Sequence, residues 1–422
     1  MTPDTTRAAR RLWVYADSDS YLKWGAHVAH CLRGRGEVNL RVLRGTATPS
    51  AAQTASALEG TGFAPADVAV KRYDDELRRL ARERPDVVFL ATRGPMARLM
   101  LDGIARMRVG RPVVVTGLPG ISFPAQQRGL DYRAGADLMV LHSRTEVEAY
   151  ARLAESGPMR GRLCLATLPF IQRATERPVL EERSEVIFAA QALVPAAMAD
   201  RARVVKALVD LARSRPDLTV VMKVRALAGE SQTHREDIPY SEVLDHFSQD
   251  QELPANLQIS DRPMAGHLER AVGLASVSST AIVEAIAYGV PTLVLDDFGV
   301  APELINTAFV GAGLWGSLDD LRAARFYEVE PEWRDNNYFH SQDDQDWLTR
   351  LDDVVLRRDA GLLQQLDAGR GFTVRWQRAR LELRALGADA SPEARALSRA
   401  ARAARLVRRG FRRVAAPKAA SW

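Results

Sequence analysis

At 422 residues the chain exceeds one ordinary hydrophobic core and is expected to divide into two domains with appendages. With 46% hydrophobic and 26% charged residues it is globular rather than disordered, and no uncharged apolar run is long enough to span a membrane. The net charge of +5 is concentrated: from Ser391 onward nine Lys and Arg residues face the single Glu393, and the remaining body is mildly acidic, which argues against nucleic acid as its partner.

The opening stretch has no apolar signal segment, so a cytoplasmic protein is expected. Residues 11–16 read as a first strand, ending in the polar run Asp17-Ser18-Asp19-Ser20 and then an apolar helix over 21–32 stopped by Gly34 and Gly36. A second strand over 38–43 is followed by helices at 51–58 and 74–84 on either side of a short strand at 68–70. A buried strand over 86–91, a helix from about 95 to 107 and a strand over 112–116 continue the alternation. Short apolar runs alternating with helices of 10 to 15 residues imply a parallel sheet covered on both faces.

The next segment, 117–124, is too rich in glycine and proline for regular structure. It is expected to sit beside the Asp17–Ser20 turn, making Gly117, Gly120 and Ser122 cleft-loop residues together with Ser20. Strands at 137–142 and 163–167 flank a helix at 144–155, and His142 ends the first of them within reach of the cleft, although a lone histidine there also suits a satisfied structural role. His27 and His30 stand three apart on a helix with no further ligands, and no metal site is expected. Cys31 and Cys164 lie apart and are expected to be buried thiols. Weak periodicity over 169–182 marks the boundary between a first domain, 1–172, and a linker, 173–184.

A second alternating unit restarts with a strand over 185–190, a loop opening at Gln191 and a long helix through Arg213. A strand over 218–225 carries Lys223 and Arg225 to its carboxyl end; a short strand at 257–259 and a helix at 264–271 follow. Residues 274–297 then read strand, turn, helix, turn, strand. Ser278, Ser279 and Thr280 offer hydroxyls at the helix start, Gly289 stops the helix, and Pro291 forbids its continuation. A helix start at the carboxyl end of a parallel strand is a ready anion site, and a hydroxyl-rich turn there suits a phosphate. Glu284 lies one turn on, without the spacing of a capping box, and could accept from the hydroxyls of a ribose; an ordinary capped helix with a solvated Glu284 is the alternative. Helices are expected at 301–309 and 318–324. The second domain is taken as 185–335, followed by mostly helical residues 336–386 lying back across both domains and a basic tail, 387–422.

The two doubly wound, Rossmann-like domains, with the hydroxyl-plus-glutamate helix start late in the second, resemble bacterial glycosyltransferases of the GT-B architecture. The segment Val277-Ser278-Ser279-Thr280-Ala281-Ile282-Val283-Glu284-Ala285-Ile286-Ala287-Tyr288-Gly289-Val290-Pro291 is similar to one found in capsule, sialyl and teichoic polymer transferases. The whole chain also resembles a sequence-defined family of bacterial glycosyltransferases whose Asp17-Ser18-Asp19-Ser20-Tyr21-x-Lys23-Trp24 start is characteristic. The resemblance implies a nucleotide-sugar donor as substrate, no cofactor and no metal. Ser279 and Thr280 would hold the donor phosphate and Glu284 its ribose, with Ser278 and Gln191 counted in the same donor set. Lys223 and Arg225 stand where such transferases often carry Lys-x-His-Pro; the His-Pro is absent here, and Arg225 could neutralise a diphosphate or simply pair at a strand end. Asp17 and Asp19 are the candidate bases for the acceptor hydroxyl, and either equally suits a helix cap. The acceptor implied is a cell-envelope glycan, polysaccharide or lipid-linked sugar. A nucleotide-sugar 2-epimerase and a non-catalytic nucleotide-sugar binder are the alternatives that share the architecture.

Ser391-Pro392-Glu393 starts a helix in which Arg395, Arg399, Arg402, Arg409 and Arg413 gather on one side and Leu397, Val407, Phe411 and Val414 on another. Such a helix suits an anionic membrane surface, which would place the enzyme on the inner face of the membrane; an alanine-rich disordered end is the alternative.

Overall fold

The computed structural model describes residues 9–107, 110–174, 183–224, 238–367 and 372–400. Strands β1 (Arg11–Ala16), β2 (Glu37–Leu43), β3 (Ala69–Lys71), β4 (Val87–Ala91), β5 (Val113–Gly117), β6 (Leu138–Leu141) and β7 (Leu163–Leu165) form a parallel sheet in the order β3-β2-β1-β4-β5-β6-β7. A second parallel sheet contains β8 (Glu185–Ala189), β9 (Thr219–Lys223), β10 (Leu257–Ser260), β11 (Ala271–Ser276), β12 (Thr292–Leu295) and β13 (Trp315–Gly316), ordered β10-β9-β8-β11-β12-β13. Every residue of β4, β5 and β8 is buried, which is why residues 87–91, 113–115 and 186–189 are continuously apolar instead of alternating. Strand order reverses between β1 and β4 in the first sheet and between β8 and β11 in the second, and each reversal opens a crevice at the strands' carboxyl ends.

Helices cover both faces of both sheets. On one face of the first sheet Leu22, Trp24 and Val28 of the helix Asp19–Leu32 pack on Val14, Phe89 and Val140. Gly25 allows this helix to lie close, since a Cβ there would fall 2.9 Å from that of Ala91. The same layer takes Trp347, Leu351 and Val355 from the helix Trp347–Asp359, while Ala379, Ala385 and Leu386 of the helix Phe372–Leu386 join the opposite face. The late helices therefore complete the first domain, one on each face, and do not spread over both domains as expected. Their apolar stripes, with Trp347, Leu351 and Val355 four residues apart, each match one face. The chain crosses back through Trp333 and Tyr338, which are buried in the second domain's core.

The expected helix at 301–309 is two short 3-10 turns, Pro302–Leu304 and Thr307–Phe309, separated by Ile305 at φ 59. Buried Asn306 explains the break: its amide accepts the Ala301 N–H and donates to the Gly299 carbonyl, pinning a turn where a helix would need those groups elsewhere. The basic tail begins as expected, with Ser391 accepting the Ala394 N–H and helix from residue 392 to the last described residue, 400. Ala394, buried, and Leu397, half-buried, pack against the first domain. Arg402, Val407, Arg409, Phe411, Arg413 and Val414 lie outside the described residues. No described helix is long and apolar enough to cross a membrane.

Candidate functional site

The carboxyl ends of the two sheets face each other. Lys23, one turn into the helix after β1, places its Nζ 3.8 Å from Oε1 of Glu284, in the first turn after β11. A Cβ on Gly120, in the loop after β5, would meet Thr280 Oγ1 at 3.1 Å, and Ile121 packs on the second domain's core. The expected glycine-rich loop and the hydroxyl turn thus meet at one cleft, together with the helix that follows the Asp17–Ser20 turn.

On the second-domain side the turn after β11 leads into the helix Ala281–Ala287, which ends before Gly289 at φ 63. Gln191 reaches across the crevice from the end of β8: its Oε1 accepts the Ser278 N–H at 2.9 Å, and its Nε2 donates to Ser278 Oγ at 2.9 Å. Ser276 Oγ donates to the Ala189 carbonyl at 2.7 Å, tying the same two strands. Ser278, 4% exposed, is spent on Gln191, correcting the expectation that its hydroxyl faces a donor, while Gln191 itself is half-buried. Ser279 Oγ accepts the Ala281 N–H at 3.2 Å and provides the local cap; half-buried Thr280, with no side-chain cap bond, turns toward Gly120. Lys223 is half-buried at the end of β9 and donates to the Val224 carbonyl. Arg225 lies outside the described residues.

On the first-domain side Asp17 ends β1 with no exposure to solvent. Its Oδ1 accepts the Arg93 N–H at 2.9 Å and its Oδ2 accepts from Arg93 Nε at 2.9 Å, so the carboxylate brackets β1 to the segment after β4. Burial pushes this carboxyl up and the Arg93 guanidinium opposes it. The expectation that Asp17 takes an acceptor proton is corrected by this geometry: both oxygens are occupied and enclosed. Asp19 opens the helix Asp19–Leu32 and is half-buried; four residues before Lys23, it lies on the helical face that meets Glu284. Ser20, beside it, is also half-buried.

His142 is 1% exposed, with Nδ1 2.9 Å from the Ala166 carbonyl and Nε2 2.8 Å from that of Leu118. Burial lowers its pKa to about 4 against the pull of the two carbonyls, and the neutral ring donates to only one of them. It holds the cleft loop from beneath and does not enter the cleft. Glu146, fully buried, accepts the Ser122 N–H at 2.7 Å, the His142 N–H at 3.2 Å and the Tyr338 hydroxyl at 2.7 Å. Burial pushes its carboxyl up. Gly117, the last residue of β5, leaves room for the Trp24 ring, and its carbonyl accepts from buried Arg133 at 3.1 Å. A cavity of about 410 Å³ opens in the same domain between the helices Asp19–Leu32 and Trp347–Asp359, lined by Trp24, His27, Phe89, His142, Thr167 and Trp347. Cys164 is buried and Cys31 half-buried, and neither is in a disulfide. Among the described residues no three metal-ligating side chains come together.

Sequence reasoning missed Arg93, Glu146 and Tyr338, and it quoted Lys23 without a role. Arg93 had a readable signal, a cation directly after a buried strand and before Gly94-Pro95. The Glu146–Tyr338 bond, between residues 192 apart in the chain, had none.

Among solved structures the fold is similar to that of Staphylococcus aureus MnaA in complex with UDP, with a TM-score of 0.53 and 12% identity over 86% of this chain and 100% of that chain. It is also similar to UDP-GlcNAc 2-epimerase from Methanocaldococcus jannaschii, with a TM-score of 0.53 and 11% identity over 82% of this chain and 99% of that chain. At such identities the likeness concerns the fold, two Rossmann-like domains in the GT-B arrangement. No curated protein matches the sequence. Residues 12–354 match the family model "Putative glycosyltransferase (DUF6716)", and with most of its length so covered, including the paired crevices just described, the chain belongs to that family.

Proposed function

We propose that the protein is a metal-independent glycosyltransferase that takes a sugar from a nucleotide-activated donor bound to the second domain and passes it to a glycan or lipid-linked acceptor bound to the first. The observation that carries this reading is the approach of Lys23 to Glu284, which brings the first-domain helix start to the hydroxyl turn of the second. Ser279 and Thr280 present hydroxyls to the donor phosphates, and Glu284 accepts from the ribose hydroxyls. Lys23, with Lys223 at the end of β9, counters the charge that develops on the departing nucleotide. Asp19 takes the proton of the acceptor hydroxyl as its oxygen bonds to the anomeric carbon, and the nucleotide leaves with the electrons of the broken bond. A cell-envelope or polysaccharide acceptor, worked on at the inner face of a membrane, belongs to the same proposal.

Thermal-shift screening with UDP, CDP, GDP and CMP compounds identifies the nucleotide, because a ligand of the native state raises its apparent stability. With that donor, Asp19→Asn is expected to keep nucleotide affinity and lose roughly 10²- to 10⁴-fold in turnover. Glu284→Ala is expected to weaken nucleotide binding about tenfold or more. Wild-type turnover in Asp19→Asn would remove Asp19 from the mechanism. Conversion of a UDP-sugar with no acceptor present would favour the 2-epimerase, and tight binding without turnover of any donor a non-catalytic binder.

A further inference from the structure

A group of arginines stands at the carboxyl edge of the first sheet, beside the Asp17–Ser20 turn. Arg93 Nη2 donates to Thr46 Oγ1 at 3.1 Å, and the same hydroxyl donates to the Arg384 carbonyl at 3.0 Å. Arg384 Nη1 donates to the Tyr132 hydroxyl at 3.3 Å, and Arg128 reaches that same oxygen with Nε at 3.1 Å and Nη2 at 2.9 Å. Thr46 follows β2, Arg93 follows β4 and begins the helix Gly94–Ile104, and the Tyr132 ring lies against Gly94 at that helix start. The group thus surrounds the reversal between β1 and β4, where ligands of doubly wound sheets bind.

The charges in this group do not balance. Of the three guanidiniums only Arg93 has a carboxylate, Asp17; among the described residues neither Arg128 nor Arg384 forms an ion pair. Of the nearby acids, Asp389 pairs with Arg44 at 2.6 Å, and Asp131 accepts from the neutral amide of Gln127 at 2.9 Å, so at most one carboxylate offsets the two exposed guanidiniums. Arg128 and Arg384, both exposed, instead share one neutral phenol oxygen, an arrangement of like charges that an anion between them would relieve. Guanidinium forks match phosphate oxygens in geometry, and a phosphate monoester carries about −1.5 to −2 at neutral pH, opposite in sign to the excess here.

The geometry points to Arg128, Arg384 and Arg93 as a binding site for a phosphate group carried by the acceptor, at the strand-order reversal where Arg93 meets Asp17. This rests on the reading of the first domain as the acceptor side, but the binding itself does not depend on the donor. Calorimetric titration of the full chain with glycerol 3-phosphate, with the nucleotide selected by the thermal-shift screen at saturation to block the second-domain crevice, is expected to show binding that glycerol lacks. The double variant Arg128→Gln with Arg384→Gln should weaken it about tenfold or more while leaving affinity for that nucleotide unchanged. Glu284→Ala should weaken the nucleotide and leave glycerol 3-phosphate unaffected, so loss of one site is distinguishable from loss of the other. A second arm uses vesicles containing phosphatidic acid. A response to glycerol 3-phosphate alone marks a water-soluble phosphorylated acceptor; vesicle capture that the double variant abolishes marks a lipid-borne phosphate. Equal behaviour of glycerol and glycerol 3-phosphate with no arginine-dependent vesicle capture, or a double variant equal to wild type in both arms, overturns the assignment.

Discussion

The two strand-order reversals solve one geometric problem with opposite chemistry. Between β1 and β4 the bracket is ionic, with buried Asp17 against Arg93; between β8 and β11 it is neutral, with Gln191 on the Ser278 amide and hydroxyl. The contrast extends along each rim. His142 and Glu146 support the first-domain loop from buried positions, whereas Ser276, Ser278, Ser279 and Thr280 make up the second. A neutral bracket costs little to bury and adds no charge of its own to the crevice, which suits a site for an anionic donor. A buried ionic bracket is costly unless fully paired, and it ties the first rim's stability to pH.

Removing Arg93 should have the largest effect. Arg93→Met strands the Asp17 carboxylate in a dry site and is expected to cost roughly 3–5 kcal/mol in urea denaturation at neutral pH. The loss should shrink as pH falls, because a protonated Asp17 needs no counter-charge. If Arg93→Met costs no more than a neutral hydrogen bond, the contrast between the reversals fails.

His142 should come next. Its folded pKa, about 4, lies below the ordinary histidine value, so below about 6.5 the unfolded chain takes up a proton that the folded one refuses. Stability from this group is therefore present above that value and lost as pH falls toward 4, by up to about 3 kcal/mol. Glu146, pushed up by burial, works in the opposite sense, so the informative measurement is the difference between wild type and His142→Gln at pH 7 and pH 5. An unchanged difference between the two pH values would show that His142 is not the titrating group.

The smallest effect belongs to the neutral bracket. Ser278→Ala removes one hydroxyl and keeps the amide bond to Gln191, and it is expected to cost about 1 kcal/mol with no pH dependence between 5 and 7. A pH-dependent loss there would blur the distinction between the two rims.

Much of the architecture was legible because strand–helix alternation is local. The helix Ala51–Leu58 falls where the alternation places it, closed in the structure by a Ser50–Gln53 capping box, and Gly289 ends its helix for the expected conformational reason. The helix expected at 301–309 failed because a side chain, Asn306, outcompeted the backbone for its own hydrogen bonds. The late helices looked alike in sequence, and nothing local said which domain would receive them.

From sequence alone came the two wound units, the hydroxyl turn followed by Glu284, and the polar run after β1, because each depends on residues within a turn or two of one another. Which of those polar groups remain open to a ligand was decided only in three dimensions. Asp17 is closed by a residue 76 positions away, Ser278 by one 87 away, and the cleft loop is held through Glu146 to a tyrosine 192 away. Burial and partnership determine whether a carboxylate or hydroxyl is a bracket or a site, and both are properties of the packed chain.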